Sequence, residues 1–147
     1  MPTKSSALTQ KKRKIYLFLA LVVLLTSALV VKKFYLRDSP YQKQLQLLSE
    51  EINKTCPTLV DPQTRLDNTE ISGPNAFQYN FTLLNLEKGN FDEADLKKFL
   101  SGQILESITN SEGMRIFKEQ GTKLSYQYRD KNNEELFVLS FDEDDYR

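Results

Sequence analysis

Few side chains in this 147-residue sequence have the types and spacing to do chemistry. The run Asp142-Glu143-Asp144-Asp145 offers carboxylates to a cation. A calcium loop, however, takes about six to eight oxygens from a shaped turn with a glycine at its bend, and this run has neither the spacing nor the glycine. A solvated terminus is expected there. In Thr64-Arg65-Leu66-Asp67 the charged pair fits a structural ion pair on a strand better than carboxylates paired in a cleft. Cys56 is the only cysteine, so it either packs beside Pro57 or forms a disulfide between chains. The alternating aromatics around Tyr79 and Tyr126 read as core before they read as a ligand platform. Asn53-Lys54-Thr55 and Asn80-Phe81-Thr82 match the glycosylation acceptor triplet, which matters only in a eukaryotic secretory setting.

The missing residues restrict function further. The sequence has no His, no Trp and only five glycines. Imidazole-based catalysis, an internal disulfide framework and a His/Cys zinc site are all excluded. There is no G-x-x-x-x-G-K-[ST] loop to hold phosphates and no G-x-S-x-G turn to present a serine. Acid–base work would rest on Asp, Glu, Lys or Tyr alone. No enzyme activity, cofactor or resident metal is expected.

The charge is divided sharply along the chain. Residues 1–37 hold eight basic and no acidic side chains, whereas residues 38–147 hold twelve basic and twenty acidic ones, a net of −8. Between the two lies IYLFLALVVLLTSALVV, Ile15 to Val31, seventeen residues without a charge. At about 1.5 Å per residue this is the short end of a membrane-spanning helix, and Phe34 to Leu36 extend it if Lys32 and Lys33 snorkel. A cleaved signal peptide fits the same basic and apolar pattern. Yet Thr26-Ser27-Ala28 is followed by more apolar residues and two lysines, which favours an uncleaved anchor. Five basic residues precede the segment (Lys4, Lys11, Lys12, Arg13, Lys14) and three follow it (Lys32, Lys33, Arg37). That bias places the N-terminus in the cytoplasm. The organisation expected is a basic tail over 1–14, a transmembrane signal anchor over 15–36 and an extracytoplasmic domain over 37–147. An acidic domain repels phosphate, so nucleic acid is not an expected partner.

The domain reads as α+β. Tyr41, Leu45, Leu48 and Ile52 give residues 41–56 an amphipathic helical stripe that suits folding onto a core better than a free stalk. Thr64 to Ser72 is polar enough for an edge strand. After the turn Gly73-Pro74-Asn75, Phe77, Tyr79, Phe81 and Leu83 alternate with polar residues, as a half-buried strand requires. Asn90 is the expected N-cap of a helix whose buried stripe is Leu96, Phe99, Leu100, Ile104 and Ile108. Gly102 inside it suggests close helix packing. A shorter helix after Ser111 carries Met114 and Phe117 and ends at Gly121. The hairpin Leu124–Arg129 and Glu134–Phe141 follows, with Leu136 to Leu139 expected to be covered on both faces. This gives about four antiparallel strands, as two hairpins, packed by helices on one face.

The pattern N-x-x-C-P-x-x-V-D-x-x-T-R-L-D, from Asn53 to Asp67, stands out, with Phe77-Gln78-Tyr79-Asn80-Phe81-Thr82-Leu83 and Tyr126-Gln127-Tyr128-Arg129-Asp130 after it. In these segments, over roughly residues 45–142, the chain resembles a set of small bacterial proteins whose domain follows a membrane anchor or lipoprotein signal. The polar turn Asn132-Asn133 departs from the glycine commoner there. The resemblance implies a bacterial, envelope-facing setting and supplies no catalytic residue. It leads to a single-pass inner-membrane protein with a periplasmic domain that acts as an accessory or interaction module for an envelope protein. The open edge of the Thr64–Ser72 strand, with Arg65, Asp67, Thr69 and Glu70, is the candidate docking surface. The alternative is a ligand-binding module using a cleft between the helices and the aromatic sheet face.

Overall fold

A computed structural model describes residues 39–147. The expected basic tail and transmembrane anchor lie outside the described residues. Among those described, no helix is long and apolar enough to cross a membrane.

Helix α1 spans Pro40–Asn53. Ser39 caps it, its hydroxyl accepting the Gln42 N–H at 3.0 Å, and Pro40 occupies the first turn, where a missing N–H costs nothing. Leu45 is fully buried, with Tyr41, Leu48 and Ile52 packed around the same core. The helix therefore folds onto the domain, as its stripe requires. It stops at Asn53, three residues before the expected end.

The sheet departs from the expected pair of antiparallel hairpins. Strands β1 (Thr58–Asp61), β2 (Thr64–Gly73), β3 (Ala76–Leu83), β4 (Lys123–Arg129) and β5 (Glu135–Phe141) lie in the order β1-β2-β3-β4-β5. The sheet is five-stranded and mixed. Neighbours are antiparallel except β3 and β4, which run parallel from Ala76 opposite Lys123 to Thr82 opposite Arg129. A parallel pair needs a long crossover, and the segment between β3 and β4 supplies one in helical form. These two strands carry the strongest aromatic alternation, so the sheet buries most by placing them at its centre. Strand β1, between Pro57 and Pro62, was not anticipated.

The crossover contains α2 (Glu93–Asn110), a 3₁₀ turn (Glu112–Met114) and α3 (Arg115–Glu119). The N-cap of α2 is Asp92, not Asn90; its carboxylate accepts the Ala94 and Asp95 N–H groups at 2.9 and 3.0 Å. Ile104 and Ile108 are buried, but Phe99 is 60% exposed and leaves the expected stripe. Gly102 does not mark close packing either: a Cβ there would meet nothing within 4 Å. Ser111 makes no side-chain cap. At the end of α3, the Thr122 N–H reaches the Phe117 carbonyl and the Gly121 N–H the Lys118 carbonyl, with Gly121 at φ +57°. That is the Schellman termination the glycine predicted.

The acidic terminus is structured. Asp142 and Asp145 form a capping box for α4 (Glu143–Tyr146), and the buried Tyr146 hydroxyl donates to the Thr122 carbonyl at 2.7 Å. Of the run Leu136 to Leu139 expected to be covered on both faces, only Leu136 and Phe137 are buried, and Val138 is 45% exposed. Residues from all four helices join the aromatic strand face in one core. The other face is polar: Gln78 donates to Glu70, Asn80 and Gln127, while Asn80 donates to Asn68.

Candidate functional site

The four residues of the proposed docking edge do not form one. Strand β1 pairs with β2 at Thr64, Arg65 and Leu66. Farther along β2, Asn53 occupies the edge. Its carboxamide oxygen accepts the Thr69 N–H at 2.7 Å and its amide donates to the Thr69 carbonyl at 2.8 Å. Ser49 adds a hydrogen bond to the same carbonyl at 3.0 Å. Thr69 is thus buried beneath α1. Arg65, Asp67 and Glu70 lie on the polar face instead, around a concavity of about 350 Å³ shared with Asn80 and Arg129. Arg65 Nε is 2.5 Å from Asp67 Oδ1, and Thr82 donates to the other Asp67 oxygen at 2.6 Å. The charged pair has the structural role its spacing suggested.

A second, more apolar feature lies on the helical side. The turn Asp61–Thr64 and the first half of α2 enclose a cleft of about 400 Å³, walled by Leu83, Leu86, Leu96, Phe99 and Leu100. A second concavity of about 240 Å³ shares Asp61, Thr64, Leu100 and Gln103 with it and reaches down to Phe81, Tyr126 and Tyr128. These rings form the aromatic floor: Phe81 stacks on Tyr128 at 5.4 Å between centroids, and Tyr126 on Tyr79 at 5.2 Å. Val60 and Phe99, 53% and 60% exposed, stand at the rim, and Leu59, 62% exposed, is next to it on β1. Exposed apolar side chains gathered beside a cleft mark a binding surface more often than a solvated one. Sequence reading had placed Phe99 in the core and left Leu59 and Val60 without a role.

Asp61 is the charged group of the cleft, and it is held in place. Asp61 accepts the Gln63 N–H at 2.7 Å; this bond, aided by the Thr64 hydroxyl, holds its carboxyl below the usual range and keeps it ionised. Burial, with the Asp61 charge second, pushes Tyr128 up to about 12. Burial also raises Tyr126, reinforced by Tyr79 and Tyr128. These phenols stay neutral at ordinary pH. Half-buried Cys56 has its thiol raised by burial and then by the Asp67 charge, which disfavours a reactive thiolate. Among the described residues, no group of three or more His, Cys, Asp or Glu is placed to hold a metal.

Asp130 is a functional-looking residue that sequence reading passed over. Its buried carboxylate accepts the Lys88, Asn132 and Glu134 N–H groups at 3.0, 2.8 and 2.9 Å. Burial alone would raise its pKa, but these bonds and the nearby Lys131 outweigh that and hold it below the ordinary value. It ties the β4–β5 turn, in which Asn133 takes φ +66°, to the loop after β3. Its role is structural.

The cleft lies at the end of the sheet formed by Thr64 and Leu83, which pair across β2 and β3. The chain enters α1 at the other end, where the Tyr41 hydroxyl meets Thr122 just before β4. Entry point and cleft therefore occupy opposite ends of the domain.

Fold and site together define a two-layer α+β domain, helices on one face of a mixed sheet, with an open apolar cleft. The chain belongs to the family described as a domain of unknown function, DUF8479, which matches residues 39–138. No curated protein matches it. Among solved structures, a Pseudomonas aeruginosa protein provisionally classed as secreted is similar at TM-score 0.62 and 17% identity, over 76% of this chain and 97% of that one. The pilotin EpsS of the Vibrio vulnificus type 2 secretion system is similar at TM-score 0.55 and 12% identity, over 73% and 96%. The Vibrio cholerae type II secretion pilotin AspS gives TM-score 0.50 and 13% identity, over 71% and 94%. At these identities the likeness is one of fold.

Proposed function

We propose that this chain is a non-enzymatic, membrane-anchored accessory protein of the bacterial envelope. Its extracytoplasmic domain holds a segment of a partner protein in the cleft between β1 and α2. The observation that carries this reading is the cleft itself: apolar walls, an aromatic floor and exposed Val60 and Phe99 at its rim. The anchor, deduced from the uncharged run Ile15–Val31, would concentrate the domain near membrane partners. The fold likeness to two secretion pilotins and to a protein classed as secreted supports an envelope setting.

Site-specific photo-crosslinking in intact cells tests this, with the reactive group replacing Phe99 or, as a control on the polar face, Gln127. Phe99 should give a discrete product with an envelope protein and Gln127 should not. A C-terminal tag should become protease-sensitive once the periplasm is opened. No product at Phe99 from well-expressed protein, or a tag shielded until the inner membrane is breached, would refute the reading.

The volume of the cleft, about 400 Å³, also suits a small apolar molecule. In that second reading Phe99 crosslinks no protein, and the purified domain releases a low-mass ligand on denaturation.

A further inference from the structure

The cleft does not end at the aromatic floor. A third, shallower concavity, lined entirely by α2 and the residue after it, continues from Gln103 through Glu106 and Ser107 to Asn110 and Ser111. Gln103 borders all three. Leu96, Phe99, Leu100, Gln103, Ser107 and Asn110 recur at helical spacing, so one long face of α2 borders three adjoining concavities that together make a shallow groove. From Leu96 to Asn110 the helix rises about 21 Å at ~1.5 Å per residue. We infer that the natural occupant is a cationic amphipathic helix of about 15 residues, supplied by a partner protein and lying along α2. This rests on the reading that the cleft receives a partner segment.

Three observations choose that occupant. First, the apolar positions cluster at the Leu96–Leu100 end with Val60 opposite, while Gln103, Ser107 and Asn110 are polar. The groove thus matches one apolar stripe with a polar continuation, not a uniformly greasy ligand. Second, the facing wall resists strand addition. Strand β1 has four residues, a register irregularity between Leu59 and Asp61, and Pro62 directly after it. Short, bulged and proline-ended edges discourage a ladder, whereas a helix needs no backbone partner. Third, the charged side chains that line the groove have one sign. Asp61 and Glu106 line it, and no Lys or Arg does. With a net of −8 over residues 38–147, lysine or arginine flanks on the incoming helix are attracted and acidic flanks repelled.

The test uses the full-length protein in zwitterionic lipid nanodiscs, with empty nanodiscs subtracted, and fluorescence anisotropy of three synthetic peptides. One carries Leu at helical spacing with Lys between, the second the same pattern with Glu for Lys. The third has the first peptide's composition rearranged to period two. The helical Lys peptide should bind about tenfold more tightly than either other, a difference of ~1.4 kcal/mol. Phe99→Asp, at an exposed position, should weaken it by about tenfold or more. Asp61→Asn with Glu106→Gln should cut the preference for Lys over Glu about threefold. Glu70→Gln with Glu135→Gln, acids on the opposite face, should leave it unchanged.

Equal binding of the three peptides, absence of binding, or equal effects of the two acid-removing pairs would overturn the inference. If Phe99 still crosslinks a partner in cells, only the identity of the occupant is wrong. If it does not, the docking function falls as well.

Discussion

Asn53 gives Thr69 the two hydrogen bonds that a neighbouring strand would otherwise supply, from a side chain at the last turn of a helix. Truncation to Asn53→Ala leaves a buried N–H without its acceptor, and the Thr69 carbonyl keeps only Ser49. An unsatisfied buried donor costs about 1–3 kcal/mol. Urea unfolding of Asn53→Ala should therefore show a loss of about that size, with an unchanged dependence on denaturant concentration. Asn53→Asp keeps the acceptor for the N–H but places a carboxylate against the carbonyl, so it should not restore stability. Asn53 was visible in the sequence as the first residue of the N-x-x-C-P pattern, but its task was not. A carboxamide that reads a backbone 16 positions away becomes legible only when α1 is laid over β2. Asp130 was hidden for the same reason, since one of its donors, Lys88, lies 42 positions earlier.

Two glycines make the same argument for elements, with opposite signs. Gly102 sits inside α2 with open space around its missing Cβ, so nothing offsets its low helix propensity. Gly102→Ala should stabilise the domain by about 1 kcal/mol, read as a raised thermal midpoint. Gly121 holds φ +57°, and a Cβ there would lie 2.5 Å from a Glu143 carboxylate oxygen. Gly121→Ala should cost about 1–2 kcal/mol for the left-handed backbone alone, and more if α4 is displaced. Glu143→Ala in the same background should recover the steric part and leave the backbone part. Sequence reading located the end of α3 correctly because a C′ glycine has a local cause. It misjudged Gly102 because close packing is a property of two elements. The same division separates what it found in the sheet from what it missed. Alternation identified β3 and β4 as strands, but nothing in either strand states that they are neighbours. The clue was the helical connection between them, long enough for a parallel crossover. Likewise Phe99 has core chemistry at core spacing, and only the absence of an element beside it makes it a rim residue.

At the scale of the molecule, the aromatic layer serves two surfaces at once. Tyr126 and Tyr128 belong to the hydrophobic core and also floor the cleft, so the site is built on the core of the domain. Their ionisation therefore couples to the whole fold. Burial pushes Tyr79, Tyr128 and Tyr146 up to about 12, and raises Tyr126 as well. In the unfolded chain a tyrosine ionises near about 10. Below that pH both states keep the proton and the neutral rings contribute their full stability. Between about 10 and about 12 the unfolded chain loses protons that the folded one retains, so stability falls as pH rises. Urea midpoints should hold steady up to about pH 9.5 and then drop with increasing slope. The tyrosinate absorbance of these residues should appear together with loss of far-UV ellipticity, not before it. Tyr79→Phe, which keeps the stacked ring and removes one titrating group, should flatten the alkaline slope. Simple stepwise titration of the tyrosines in a fully folded domain would show instead that solvent reaches the aromatic floor. That outcome would count against a cleft floor rigid enough to orient a bound segment.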